Sequence, residues 1–203
     1  MTILYYGLNC FRLQTNGLSL LIDPFDEKAG LTLPRMQNDI LLLSHPEGVK
    51  KSGEKTMVIS GPGEYEVQGC FIYGWPVANE AIGQTLYLIE VEGIKIVYLG
   101  LLRKEKLTQE QLEKLEEADI LMIPIGGGES LNSAQAATLV NDLEPKVVIP
   151  MYYQLPGLKL KLEGVEKFKK ELGAKSEEVD KLKITKKELP QEEIRLTIIQ
   201  PGD

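Results

Sequence analysis

The first hundred residues hold a close succession of strand-like runs and scarcely any helical pattern, which ties the fold to β-sheet. ILYYG, CFRLQT and LSLLID come first, with Asn16-Gly17 between the second and third. Both residues of an Asn-Gly pair tolerate the positive φ of a two-residue turn, so the pair signals a hairpin. DILLLS, TMVIS, CFIYGW, TLYLIEV and IKIVYLG continue the series, with Glu92-Gly93 as the turn between the last two. GPGEYEVQG, residues 61–69, is punctuated by glycine and proline and reads as a tight turn.

The second half alternates strand and helix. Thr108 and Gln111 have capping-box spacing, and Leu112, Leu115 and Ala118 fall along one helical stripe behind them. ILMIPI is a buried strand. Asn132 and Gln135 open a second helix with Ala136, Val140 and Leu143 on one side, KVVIP returns as a strand, and a charged helix spans 165–172 before RLTIIQ closes the series. A strand-rich half followed by strand-helix-strand units predicts two packed sheets with helices outside, a four-layer α/β/β/α sandwich in one domain over 1–203.

A chain of 203 residues with 43% apolar and 26% charged residues can bury a real core. The net charge of −7 argues against nucleic acid and anionic membranes as partners. The lysines at 159, 161, 167, 169 and 170 are answered by Glu163, Glu166 and Glu171, the pattern of a solvated helix face. Cys10 and Cys70 are in no C-x-x-C pair and read as buried thiols in a reducing compartment. With no signal-peptide pattern and no apolar run long enough to span a bilayer, the expected location is cytoplasmic.

The one histidine, His45, stands where the apolar strand LLLS meets the polar loop HPEGVKKSG. As a structural residue it needs one hydrogen bond; as a metal ligand it needs partners. IPIGGGES lies between a strand and a helix, where phosphate can meet backbone N–H groups, but it lacks the P-loop lysine and reads as a plain turn. Ser44 and Ser60 have no G-x-S-x-G context, and Asp23 in LIDPF reads as a turn former near any cleft.

YYGLNCFRLQTNGLSLLIDPF, DILLLSHPEGVKKS, TLYLIEVEGIKIVYLGLL, ADILMIPIGG and EPKVVIPMYY, in that order, resemble the metallo-β-lactamase fold superfamily, in particular its UlaG-like, lactonase-like branch of small cytoplasmic hydrolases. The resemblance implies a metal motif His-x-His-x-Asp-His after a strand, whose ligands turn bound water into a nucleophile. Laid on this chain, the motif falls on His45, Glu47, Val49 and Lys50, and the family's Gly-His, Gly-Asp and Met-His pairs fall on Gly7-Leu8, Gly100-Leu101 and Met151-Tyr152.

Of the motif positions only His45 and Glu47 are then candidate metal ligands, and a Lys50 ammonium in the cavity would oppose a dication by about 8 kcal/mol at ~4 Å and an effective dielectric of ~20. The expectation from the sequence is therefore a catalytically degenerate member with no cofactor. It would bind an unknown protein or small-molecule ligand in the cleft through His45, Glu47, Lys50, Glu64, Tyr65 and Tyr152, with homo-oligomers left open. The alternative is a metal-dependent hydrolase of lactones, esters or phosphoesters, its site rebuilt from His45 and Glu47, with Asp23 or Glu64 as a further ligand, around Zn²⁺, Mn²⁺ or Mg²⁺.

Overall fold

The computed structural model describes residues 1–45, 56–77, 83–103, 107–116 and 118–202. In chain order the strands of the first half are β1 (Thr2–Gly7), β2 (Cys10–Gln14), β3 (Ser19–Ile22), β4 (Ile40–Leu42), β5 (Met57–Ile59), β6 (Gly63–Val67), β7 (Cys70–Pro76), β8 (Thr85–Val91) and β9 (Ile94–Tyr98). The second half gives α1 (Gln109–Leu115), β10 (Ile120–Pro124), α2 (Ser133–Leu143), β11 (Val147–Met151), α3 (Val165–Leu172), β12 (Ser176–Val179), β13 (Leu182–Lys183) and β14 (Arg195–Ile199).

Two sheets result. One is six-stranded in the order β13-β1-β2-β3-β4-β5, the other eight-stranded in the order β12-β14-β11-β10-β9-β8-β7-β6. Alternation along β1 sends Ile3 and Tyr5 into the main core, while Leu4 and Tyr6 face the other way. The opposing sheet contributes Ile72, Tyr87, Ile89, Ile96 and Tyr98, all fully buried. β9, β10 and β11 are parallel, joined by crossovers that carry α1 and α2. Ala136, Ala137 and Val140 press α2 onto this sheet, and fully buried Phe168 anchors α3. Both expected capping boxes form, Thr108 with Gln111 and Asn132 with Gln135.

The outer face of the six-stranded sheet has a thinner cover. Tyr6, Leu21, Leu41 and Leu43 pack there against Phe25, Leu33 and Met36, which lie in a segment whose only regular piece is the 3-10 turn Glu27–Ala29. The architecture is the expected α/β/β/α sandwich with one outer layer reduced to coil. One expectation is corrected: GPGEYEVQG is not a tight turn, because Gly63–Val67 forms strand β6 and the turn is confined to Gln68 (φ +51) and Gly69 (φ +77). Among the described residues, no helix is long and apolar enough to cross a membrane.

Candidate functional site

Strand ends from both sheets converge on one buried carboxyl group. Asp23 follows β3 in the left-handed conformation (φ +41), and its N–H donates to Leu42 O at 3.0 Å. Four donors meet its two oxygens. Ser44 N donates to Oδ1 at 2.7 Å, and Oδ2 accepts from Ser44 Oγ at 2.5 Å, Tyr98 OH at 2.6 Å and Asn9 Nδ2 at 2.9 Å. Ser44 follows β4, Tyr98 ends β9 and Asn9 lies in the turn between β1 and β2. Burial and then the Asp23 charge push the Tyr98 phenol well above its ordinary value, so it serves as a hydroxyl donor.

This hub fixes His45. The single hydroxyl proton of Ser44 goes to Asp23, so the contact of Ser44 Oγ with His45 Nδ1 at 2.8 Å requires the imidazole to donate. With its proton on Nδ1, the neutral ring keeps a lone pair on Nε2, which has no hydrogen-bond partner among the described residues. A metal-binding histidine is held in the same way, its second nitrogen donating toward a carboxylate and fixing the tautomer. Ser44 is itself wedged in place. Thr85 N donates to its carbonyl at 2.7 Å, and Gly100 (φ +55) lies so close that a Cβ there would sit 2.7 Å from Ser44 Oγ.

Tyr152 and Tyr65 connect to the hub through backbone. Tyr152 N donates to Leu8 O at 2.6 Å, Leu8 precedes Asn9, and both Leu8 and Tyr152 are left-handed at φ +51. Tyr65 OH donates to Gly61 O at 3.2 Å, Gly61 N to Tyr87 OH at 3.0 Å, and Tyr87 OH to Leu43 O at 2.9 Å, one residue before Ser44. Glu64 is exposed on β6, and no described contact links it to His45. Glu47 and Lys50 lie outside the described residues. The sequence reading missed Asn9, Tyr98 and the supporting role of Ser44. The signal was there in an acidic residue ending an aliphatic strand, LLID, and a hydroxyl preceding the single histidine.

The IPIGGGES turn precedes α2 as expected, but a carboxylate already occupies the helix N-terminus: Glu163 Oε2 accepts from Ser133 N at 3.1 Å.

Do these residues fit a divalent ion? His45 offers one ligand. Asp23 is not a second, because four donors already use its oxygens. Leu8, Leu101 and Tyr152 stand where the resemblance places His, Asp and His. Among the described residues, no group of three or more His, Cys, Asp or Glu could hold a metal ion. The described donor set is thus one ligand, His45, with a well-built support.

A model of the beta-lactamase superfamily domain matches residues 2–152, so the chain belongs to that family. At the level of individual proteins, it is 26% identical to a UPF0173 metal-dependent hydrolase of Lysinibacillus sphaericus over 75% of this chain and 85% of the relative. It is also 26% identical to a UPF0173 metal-dependent hydrolase of Thermococcus onnurineus, over 78% and 86%. Among solved structures, a candidate Zn-dependent hydrolase of the metallo-β-lactamase superfamily from Thermotoga maritima superposes with a TM-score of 0.81 at 29% identity, covering 98% of this chain and 99% of that one.

These relatives correct two expectations. The reading of a non-catalytic binding protein is overturned by relatives named as metal-dependent hydrolases, and the expectation of no cofactor is overturned by the same names and by the Zn-dependent neighbour. Both errors came from treating unmatched motif positions as proof of a dead site, when support for a ligand can persist in residues outside the motif.

Proposed function

We propose that this chain is a divalent-metal-dependent hydrolase acting on a lactone, ester or phosphoester bond. The observation that carries the reading is the relay from Asp23 through Ser44 to His45, which directs the imidazole proton to Nδ1 and leaves Nε2 as a ligand. Such a relay is a costly construction for a histidine with no ligand to hold, since it buries a carboxylate and a hydroxyl. His45 is the proposed first ligand and Glu47 the proposed second. A bound ion would supply a nucleophilic water near neutral pH. The chain's own part is positional: Asp23 and Ser44 hold the ring, and Tyr98 and Asn9 hold Asp23. The relatives named as metal-dependent hydrolases support the same reading.

The test is metal content of untagged protein reloaded separately with Zn²⁺, Mn²⁺ and Mg²⁺, followed by hydrolysis of a lactone, an aryl ester and an aryl phosphodiester. About one equivalent of metal, with metal and turnover both lost in His45→Ala, is the expected result. Less than about a tenth of an equivalent in every case, with no turnover, overturns the proposal.

A further inference from the structure

Strand β6 ends the eight-stranded sheet, and among the described residues no strand pairs with its outer side. The two-residue turn at Gln68-Gly69 makes Val67 and Cys70 the closing hydrogen-bonded pair. Alternation then hydrogen-bonds Tyr65 to Ile72 and Gly63 to Gly74, and leaves the N–H and C=O groups of Glu64 and Glu66 pointing to the free edge. The same alternation sets the side chains. Tyr65 and Val67 lie on the core side, half-buried against it, while Glu64 and Glu66 face outward opposite Tyr73 and Phe71. Phe71 is 40% exposed and pairs on its other side with Glu90, so it stands between Glu66 and Glu90.

We propose that β6 is a strand-addition site for an extended segment of another protein in which basic residues alternate with small apolar ones. Its backbone completes the hydrogen bonds of Glu64 and Glu66. Its Lys or Arg side chains stand opposite those two carboxylates, and the residue between them covers the half-open core edge at Tyr65. The charge pattern decides the occupant. A second copy pairing β6 with β6 antiparallel about Tyr65 would set each Glu64 against a Glu66, four carboxylates on one face, which disfavours self-pairing. A net charge of −7 steers a basic segment toward the molecule.

The experiment uses the full chain and short peptides alternating Lys and Val, with three controls: the same composition with its lysines in one block, an alternating Glu-Val peptide, and an alternating Lys-Val peptide N-methylated on the edge-facing amides. Binding is followed by fluorescence anisotropy and by hydrogen exchange at the Glu64 and Glu66 amides. The alternating Lys-Val peptide is expected to bind and protect those two amides. N-methylation should abolish binding, and the double variant Glu64→Lys/Glu66→Lys should weaken it about tenfold with an unchanged melting temperature. Equal binding of the blocked or N-methylated peptide would reduce the effect to bulk electrostatics and overturn the proposal. So would protection elsewhere, or no binding up to about 1 mM, leaving the two glutamates as guards against edge-to-edge pairing.

Discussion

Asp23→Asn isolates the hub with little other disturbance. Asn tolerates the left-handed backbone at φ +41 at least as well as Asp, so strain does not confound the result. The best fit keeps the amide oxygen at the Oδ2 position, where it still accepts from Ser44 Oγ, Tyr98 and Asn9. The new NH2 then faces the Ser44 N–H that Oδ1 had accepted at 2.7 Å. Leaving that buried donor unmet costs about 1–3 kcal/mol, and weakening three bonds that had a charged acceptor adds roughly 1 kcal/mol or more. We expect a total near 3 kcal/mol, a large share of the ~5–15 kcal/mol that holds a typical domain. Urea unfolding should show a lower midpoint with an unchanged slope, and thermal unfolding a fall of roughly 10 °C. The metal-loaded protein should lose affinity as well, because His45 loses the partner that fixes its tautomer. A stability loss under about 1 kcal/mol would refute the claim that four donors depend on this carboxylate.

Gly100→Ala adds a Cβ 2.7 Å from Ser44 Oγ at a backbone of φ +55, and should cost about 2–3 kcal/mol in urea unfolding while weakening metal binding through Ser44. Asp119 is pushed up by burial, but Lys146 at 2.8 Å, Lys186 at 2.6 Å and the Lys95 N–H together hold it below the usual carboxylate value. Its contribution is therefore present above about pH 4 and lost as pH falls through the lowered folded value, so Asp119→Asn should destabilise by about 2 kcal/mol at neutral pH and by almost nothing near pH 2. Burial pushes the Cys70 thiol up to about 11, and burial with the nearby Asp23 charge pushes Cys10 well above its ordinary value. Native protein should then react with a thiol reagent at neutral pH no faster than it unfolds, and rapid labelling of either cysteine would contradict the burial.

The strands that bury one or both faces were legible in the sequence, because apolar runs between hairpin dipeptides admit few other readings. β6 was not, although Glu64, Tyr65, Glu66 and Val67 alternate with period two, since the glycines and proline around them outweighed so short a pattern. SEEV of β12 and LK of β13 carry no apolar stripe, and only partner strands make them strands. At the site, His45 was conspicuous by being unique. Asp23 was not, because its meaning depends on Asn9, Ser44 and Tyr98, and the last lies 75 positions away.

That separation has a consequence for how the hub is assembled. Asp23, Ser44 and Asn9 flank strands of the six-stranded sheet and Tyr98 ends a strand of the eight-stranded one, so the hub is complete only when the two halves close on each other. A chain with only the six-stranded sheet formed has Asp23, Ser44 and His45 within reach of one another, but lacks the Tyr98 hydroxyl that holds the carboxylate from the opposing sheet. The full set of donors on Asp23 is therefore complete only once the two sheets have packed.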